Sequence, residues 1–143
     1  MFLTHRDDVA DHEKFREHFG CERIIHAGDA RGIEVEKKIE GSDPVKLGPD
    51  LTVIPVPGHT RGSAALLFRR TLFSGDHLWW SRNRGRLTAS RDVCWYSWPE
   101  QVRSVRRLAD HEFEWVLPGH GERAWFPAQE MRAQLGRLIQ AVA

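Results

Sequence analysis

The chain has 143 residues, the size of one domain, here spanning 1–143. Apolar residues make up 41% and charged residues 29%, which suits a globular protein, and the longest apolar run, residues 64–68, is far too short to cross a bilayer. The net charge is +1, so neither a strongly basic nor a strongly acidic partner is dictated. That charge is uneven: residues 1–61 carry 9 Lys/Arg against 12 Asp/Glu, and residues 62–143 carry 12 against 8. Arginine outnumbers lysine 17 to 4, which reads either as compositional bias or as an anionic ligand near the C-terminal half. Met1 leads straight into His5, Arg6 and Asp7, with no leader pattern, and Cys21 and Cys94 lack the spacing of a disulfide or metal pair. The expected location is the cytoplasm.

In chain order, Phe2, Leu3 and Thr4 read as the end of a short buried strand with His5 at its tip. Residues 10–19 have the period of a helix, with Phe15 and Phe19 on one face and Gly20 as its stop. Residues 22–26 form a second strand. Residues 27–50 are poor in large apolar groups and predict loops and short strands, including the alternating stretch 33–39. Residues 51–56 alternate and run into Pro57-Gly58, a strand followed by a turn. Two more strands, 63–69 and 71–74, flank a basic turn. Residues 77–97 show no clear period. Ser97-Trp98-Pro99-Glu100 has the spacing of a capping box, opening a helix that buries Val102, Val105 and Leu108. A strand over 113–117 precedes Pro118-Gly119. Pro127 opens the last helix, whose stripe is Met131, Leu135, Leu138, Ile139 and Val142. Strands alternate with helices, so the class is α/β.

Four segments place imidazole or carboxylate groups just after predicted strands. They are Thr4-His5-Arg6-Asp7 running on to Asp11-His12, then Pro57-Gly58-His59-Thr60-Arg61-Gly62-Ser63, Ser74-Gly75-Asp76-His77 and Pro118-Gly119-His120-Gly121. His and Asp at loop tips suit borderline divalent metals, and adjacent glycines allow tight turns into a shared pocket. His77 should face the opposite way from Asp76. Cys94 reads as a small apolar filler. Trp79 and Trp80 read equally as pocket wall or as packing, while Trp98 and Trp115 read as packing. Arg82, Arg84 and Arg86 either receive an anionic substrate or are solvated, as Arg103, Arg106 and Arg107 are on their helix.

These motifs resemble those of the metallo-β-lactamase-fold hydrolase superfamily, especially its glyoxalase II-like branch. The segments around His59, Asp76 and His120 match residue by residue. The first motif departs from the family pattern His-x-His-x-Asp-His: Asp7 stands where the second histidine would be, and Asp11-His12 comes two residues late. The resemblance implies one metal held by His5, Asp7 and His59, a second held by Asp11, His12 and His120, and Asp76 as the bridge. Asp8 competes with Asp7 for the same place. The implied cofactor is one or two zinc ions as the default, with manganese or iron gaining some weight from the extra carboxylate.

The implied activity is hydrolysis of a small ester or thioester by a metal-bound hydroxide, with Asp11 orienting the water and accepting its proton. Other readings are a metal-binding or regulatory protein without catalysis, a nuclease and a mononuclear-iron oxygenase. The modest charge argues against a nucleic-acid partner. The resemblance also implies a four-layer αββα sandwich that lacks its first strands, leaving a sheet edge and an apolar face. A truncated or mis-started chain is the preferred reading of that gap; a homo-oligomer that covers it and a decayed fragment are the others.

Overall fold

A computed structural model describes every residue except Asp8. Six strands form the main sheet in the order β10-β9-β6-β5-β4-β3. They are β3 (Val45–Gly48), β4 (Leu51–Pro55), β5 (Ala64–Phe68), β6 (Thr71–Gly75), β9 (Trp115–Pro118) and β10 (Ala124–Trp125). Strands β3 to β6 run antiparallel to their neighbours, and β6 and β9 are parallel. Consequently β4, β6 and β9 all point their C-terminal ends at one edge. Two smaller sheets flank this one. Strands β1 (Ile24–His26) and β2 (Lys37–Ile39) pair in parallel, and Phe2 bridges to Ile24. Strands β7 (Trp79–Ser81) and β8 (Arg86–Thr88) form a hairpin within the stretch that lacked a readable period.

Sheet faces follow from residue alternation. On one face Ile54, Ala65, Leu72 and Val116 pack against helices α2 (Trp98–Arg107) and α3 (Ala128–Val142). From these helices come Val105, Met131, Leu135 and Leu138, all buried, with Ile139 and Val142 at the margin. The expected stripe of α3 is therefore its core face. Helix α2 instead turns Gln101, Ser104 and Val105 fully inward, with Val102 only half-buried, and Leu108 is buried just beyond its end. On the other face Val53 and Ala64 meet Ile39, flanked by Phe2 and Ile24. That cover ends at β5. Beyond it, Phe68, Phe73, Trp115 and Trp125 share the same face and stay 37–51% exposed. Trp115 thus leans on Trp125 (ring centroids 6.3 Å apart) rather than packing into a core. This corrects the packing expected of it, whereas Trp98 does pack against the main core.

Helix α1 (His12–Phe19) starts two residues later than expected and ends at Gly20. It buries none of its residues, and Phe15 and Phe19 stack on each other in the open. It is tied down through Glu36, which takes Arg16 from α1 and Arg23 from the approach to β1. No helix among the described residues is long and apolar enough to cross a membrane.

Candidate metal centre

The three C-terminal strand ends deliver the site. His59 follows β4, Asp76 follows β6 and His120 follows β9. His5 arrives on the extended N-terminal segment, which the bond from Ala64 N–H to Thr4 O fixes beside the start of β5. Gly75 permits that approach: its φ is +54°, and a Cβ there would sit 2.8 Å from Thr4 Oγ1.

His5, Asp7 and His59 offer ligand atoms that all lie within 4.8 Å of one another. Asp76 joins them. Its Oδ2 is 3.5 Å from His5 Nε2 and 3.7 Å from His59 Nε2, while Asp7 Oδ2 is 3.5 Å from His59 Nε2. Both imidazoles are buried, and their Nε2 atoms have no hydrogen-bond partner. The opposite ring nitrogens are engaged. His59 Nδ1–H donates to Val93 O at 2.5 Å, which fixes the tautomer with a bare lone pair on Nε2. His5 Nδ1 lies 3.0 Å from Thr4 Oγ1. A buried, unpartnered imidazole nitrogen is costly unless something else occupies it. Two of them converging with two carboxylates form a donor set that fits a divalent cation.

His120 completes the wall. Its Nδ1 meets both oxygens of Asp76, at 2.9 and 3.0 Å. Burial pushes the Asp76 carboxyl up, but the nearby His5 imidazole and the hydrogen bond from His120 outweigh it. They hold the carboxyl well below its usual range. The cavity over these groups has a volume of about 340 Å³ and is lined by Asp7, His59, Asp76, His120, Trp79, Val93 and Trp95. Of the two tryptophans shortly after Asp76, Trp79 is therefore a wall residue, while Trp80 packs against Phe126.

Asp11 and His12 lie outside this cluster. Asp11 is the left-handed residue ahead of α1 (φ 60°), 58% exposed and paired with Lys14 at 2.6 Å. His12 begins the helix and turns its Nδ1 to Arg23, 3.2 Å away. With the two-residue delay a helix starts at His12, and neither side chain joins the cluster at the strand ends. This departs from the expected ligand set and from the proton-accepting role implied for Asp11. The rival Asp8 lies outside the described residues. His77 does face away from Asp76, into the core, where burial pushes its pKa down to about 3 and keeps it neutral. Cys94 donates its thiol to Gly58 O at 3.1 Å, under the His59 loop.

One positioning residue was not singled out in the sequence. Asp29, buried just after β1, accepts from Arg6 N–H (3.0 Å), Thr60 Oγ1–H (2.5 Å) and Gly62 N–H (2.7 Å). It therefore ties the His5–Asp7 loop to the His59 loop. Gly62 has to be glycine for this, since a Cβ there would come within 2.4 Å of Asp29 N. The only sequence signal was an acid beside Gly28 at a strand end, the same local pattern as the expected ligands.

No family model matches the chain. Among curated proteins, hydroxyacylglutathione hydrolase of Hyphomonas neptunium is 40% identical over 109 residues, which is 73% of this chain and 41% of that protein. The protein of the same name from Xanthomonas campestris is 33% identical over 116 residues, 80% of this chain and 40% of that one. The chain thus spans about two fifths of the length of these relatives. Among solved structures, BLEG-1 B3 metallo-beta-lactamase superposes with a TM-score of 0.71 at 18% identity, covering 99% of this chain and 76% of that one. ETHE1 from Myxococcus xanthus gives 0.67 at 23% identity, covering 97% and 62%.

Proposed function

We propose that this chain, which has the metallo-β-lactamase fold and resembles the glyoxalase II-like branch of that superfamily, is a metal-dependent hydrolase of small esters or thioesters. The observation that carries the reading is the pair of buried, unpartnered Nε2 atoms of His5 and His59, converging with Asp7 and Asp76 beneath a walled cavity. The relatives named hydroxyacylglutathione hydrolase support the same chemistry.

His5, Asp7, His59 and Asp76 would hold the ion, with zinc the first choice and manganese or iron admitted by the two carboxylates. Bound there, a divalent ion supplies a water acidic enough to attack at neutral pH and a Lewis acid for the oxygen that gains charge. The protein's own groups do the rest. Val93 O holds His59 in its ligating tautomer. Asp76 is kept ionised by its histidine neighbours. Asp7, whose carboxylate is 43% exposed and lines the cavity, would ligate through one oxygen and offer the other as a proton acceptor. His120 fixes the Asp76 carboxylate from the solvent side. Trp79, Val93 and Trp95 give apolar walls that shed water around an acyl group.

The test is hydrolysis by the zinc-loaded chain of a panel of acyl thioesters, beginning with a hydroxyacyl thioester of glutathione, alongside simple aryl esters. Turnover that disappears in Asp7→Asn and His59→Ala supports the reading. No turnover of any member by zinc-, manganese- or iron-loaded protein contradicts it.

A further inference from the structure

Beyond Asp7, His59, Asp76 and His120, every side chain that lines the metal cavity is apolar: Trp79, Val93 and Trp95. No lysine or arginine lines it among the described residues. Arg6, Arg31 and Arg61 line a neighbouring groove instead, where Asp7 and Asp29 stand among them. The two indoles are fixed by different means. Trp79 pairs with Thr88 in the β7–β8 hairpin and lies on the Gly121 backbone, where a Cβ would come 2.6 Å from Trp79 Cδ1. Trp95 is anchored through its N–H, which donates to His59 O at 3.0 Å, and its ring centroid stands 6.2 Å from that of the His59 imidazole. Its indole is nevertheless 68% exposed.

Charge points the same way as the apolar wall. The carboxylates of Asp7 and Asp76 converge with His5 and His59, and together they balance the charge of one divalent ion. A histidine in place of Asp7 would leave the centre positive; with Asp7 it offers an anionic acyl group no net attraction. Size sets a bound on what fits. An apolar cavity of about 150 Å³ holds benzene. The volume here is about 340 Å³, which admits a body of one or two rings beside a reacting carbonyl. Indole faces and edges favour aromatic partners beyond the area they cover.

We infer that the cavity selects an uncharged ester or thioester with an aromatic acyl group, seated against Trp79 and Trp95. The inference rests on the hydrolase reading above and adds the class of substrate. Trp95 is then the specificity-determining residue, since its exposed indole is covered when the acyl ring docks. Asp7 acts in the same sense, because a second carboxylate at the centre removes the positive charge that would hold an anion.

Binding is measured apart from turnover, so that failure of the hydrolase reading and failure of this one are separable. The full chain, with and without zinc, is titrated by calorimetry with naphthalene carboxamide and naphthalene sulfonate, one ring system without and with a charge. Saturable binding of the carboxamide is expected in both forms, about tenfold or more tighter than that of the sulfonate. Trp95→Ala should weaken it about tenfold or more, and Trp95→Phe should keep most of it. A melting temperature within about 2 °C of the parent shows that either exposed substitution leaves the fold intact. In turnover, kcat/KM of the zinc-loaded chain should favour the nitrophenyl ester of naphthoic acid over that of glutaric acid, whose acyl group keeps a free carboxylate. The expected binding without turnover of any ester supports the ligand class and overturns the hydrolase reading alone. No saturation by the carboxamide, sulfonate binding as tight, equal affinity in Trp95→Ala, or preference for the glutaryl ester overturns the inference.

Discussion

Asp29 is the residue on which the most geometry depends, because a single buried carboxylate accepts from three donors on the His5–Asp7 and His59 loops. Asparagine keeps its shape but replaces one acceptor oxygen with a donor facing a donor. Asp29→Asn should lower metal affinity by about 10–100-fold, read by competition with a chelator. It should also destabilise the fold by about 1–3 kcal/mol, read by urea unfolding. Glu36 is the second such residue. Its hydrogen bonds from Arg23 hold its carboxyl well below the usual value of 4.5. A lowered folded pKa adds stability that is complete above the unfolded pKa and is lost as pH falls below it. The difference in melting temperature between the parent and Glu36→Gln should therefore be largest near pH 7 and shrink once pH falls below about 4.5. At this scale the gathering of His5, His59, Asp76 and His120 at one place was legible, because a histidine or aspartate beside glycine at a strand end is a local pattern. Asp29 was not, since its partners lie 23, 31 and 33 residues away. The expected places of Asp11 and His12 came from the resemblance, and two extra residues were enough to start a helix instead.

The parallel run of β4, β6 and β9 is what brings the sequence-distant candidate ligands to one edge. Helices α2 and α3 hold that sheet from behind. Leu135→Ala, at 2% exposure in this layer, should cost about 2–5 kcal/mol in urea unfolding, because the side chain leaves a cavity. Most elements were legible from alternation, helical stripes and the cap at Ser97, whose Oγ accepts from Glu100 N–H. The β7–β8 hairpin was not. Its strands are three residues each, too short to show a period, and their pairing depends on Trp80 N–H reaching Glu122 O across the chain. Gly121 and Trp79 also pack closely there, so the hairpin is set by the His120 loop rather than by its own sequence.

Across the whole molecule, one face of the main sheet is covered by helices and the other only partly. Phe68, Phe73, Trp115 and Trp125 form an open apolar strip past the edge of the small sheet. Such a strip should bind a hydrophobic dye such as anilinonaphthalene sulfonate in native buffer, and Phe73→Thr/Trp125→Thr should reduce that fluorescence without altering metal content. Alternation in β6 and β9 identifies the two faces, but alternation alone does not say which face another layer covers, so the exposure of Trp115 does not follow from it. Whether His5, Asp7, His59 and Asp76 hold a metal is read by elemental analysis. Parent, His59→Ala and Asp11→Ala/His12→Ala proteins are equilibrated with zinc, desalted and assayed by mass spectrometry. At least about one equivalent of zinc is expected in the parent and in the Asp11/His12 variant, and near none in His59→Ala. A parent without zinc, or zinc lost from the Asp11/His12 variant yet kept by His59→Ala, would contradict that ligand set.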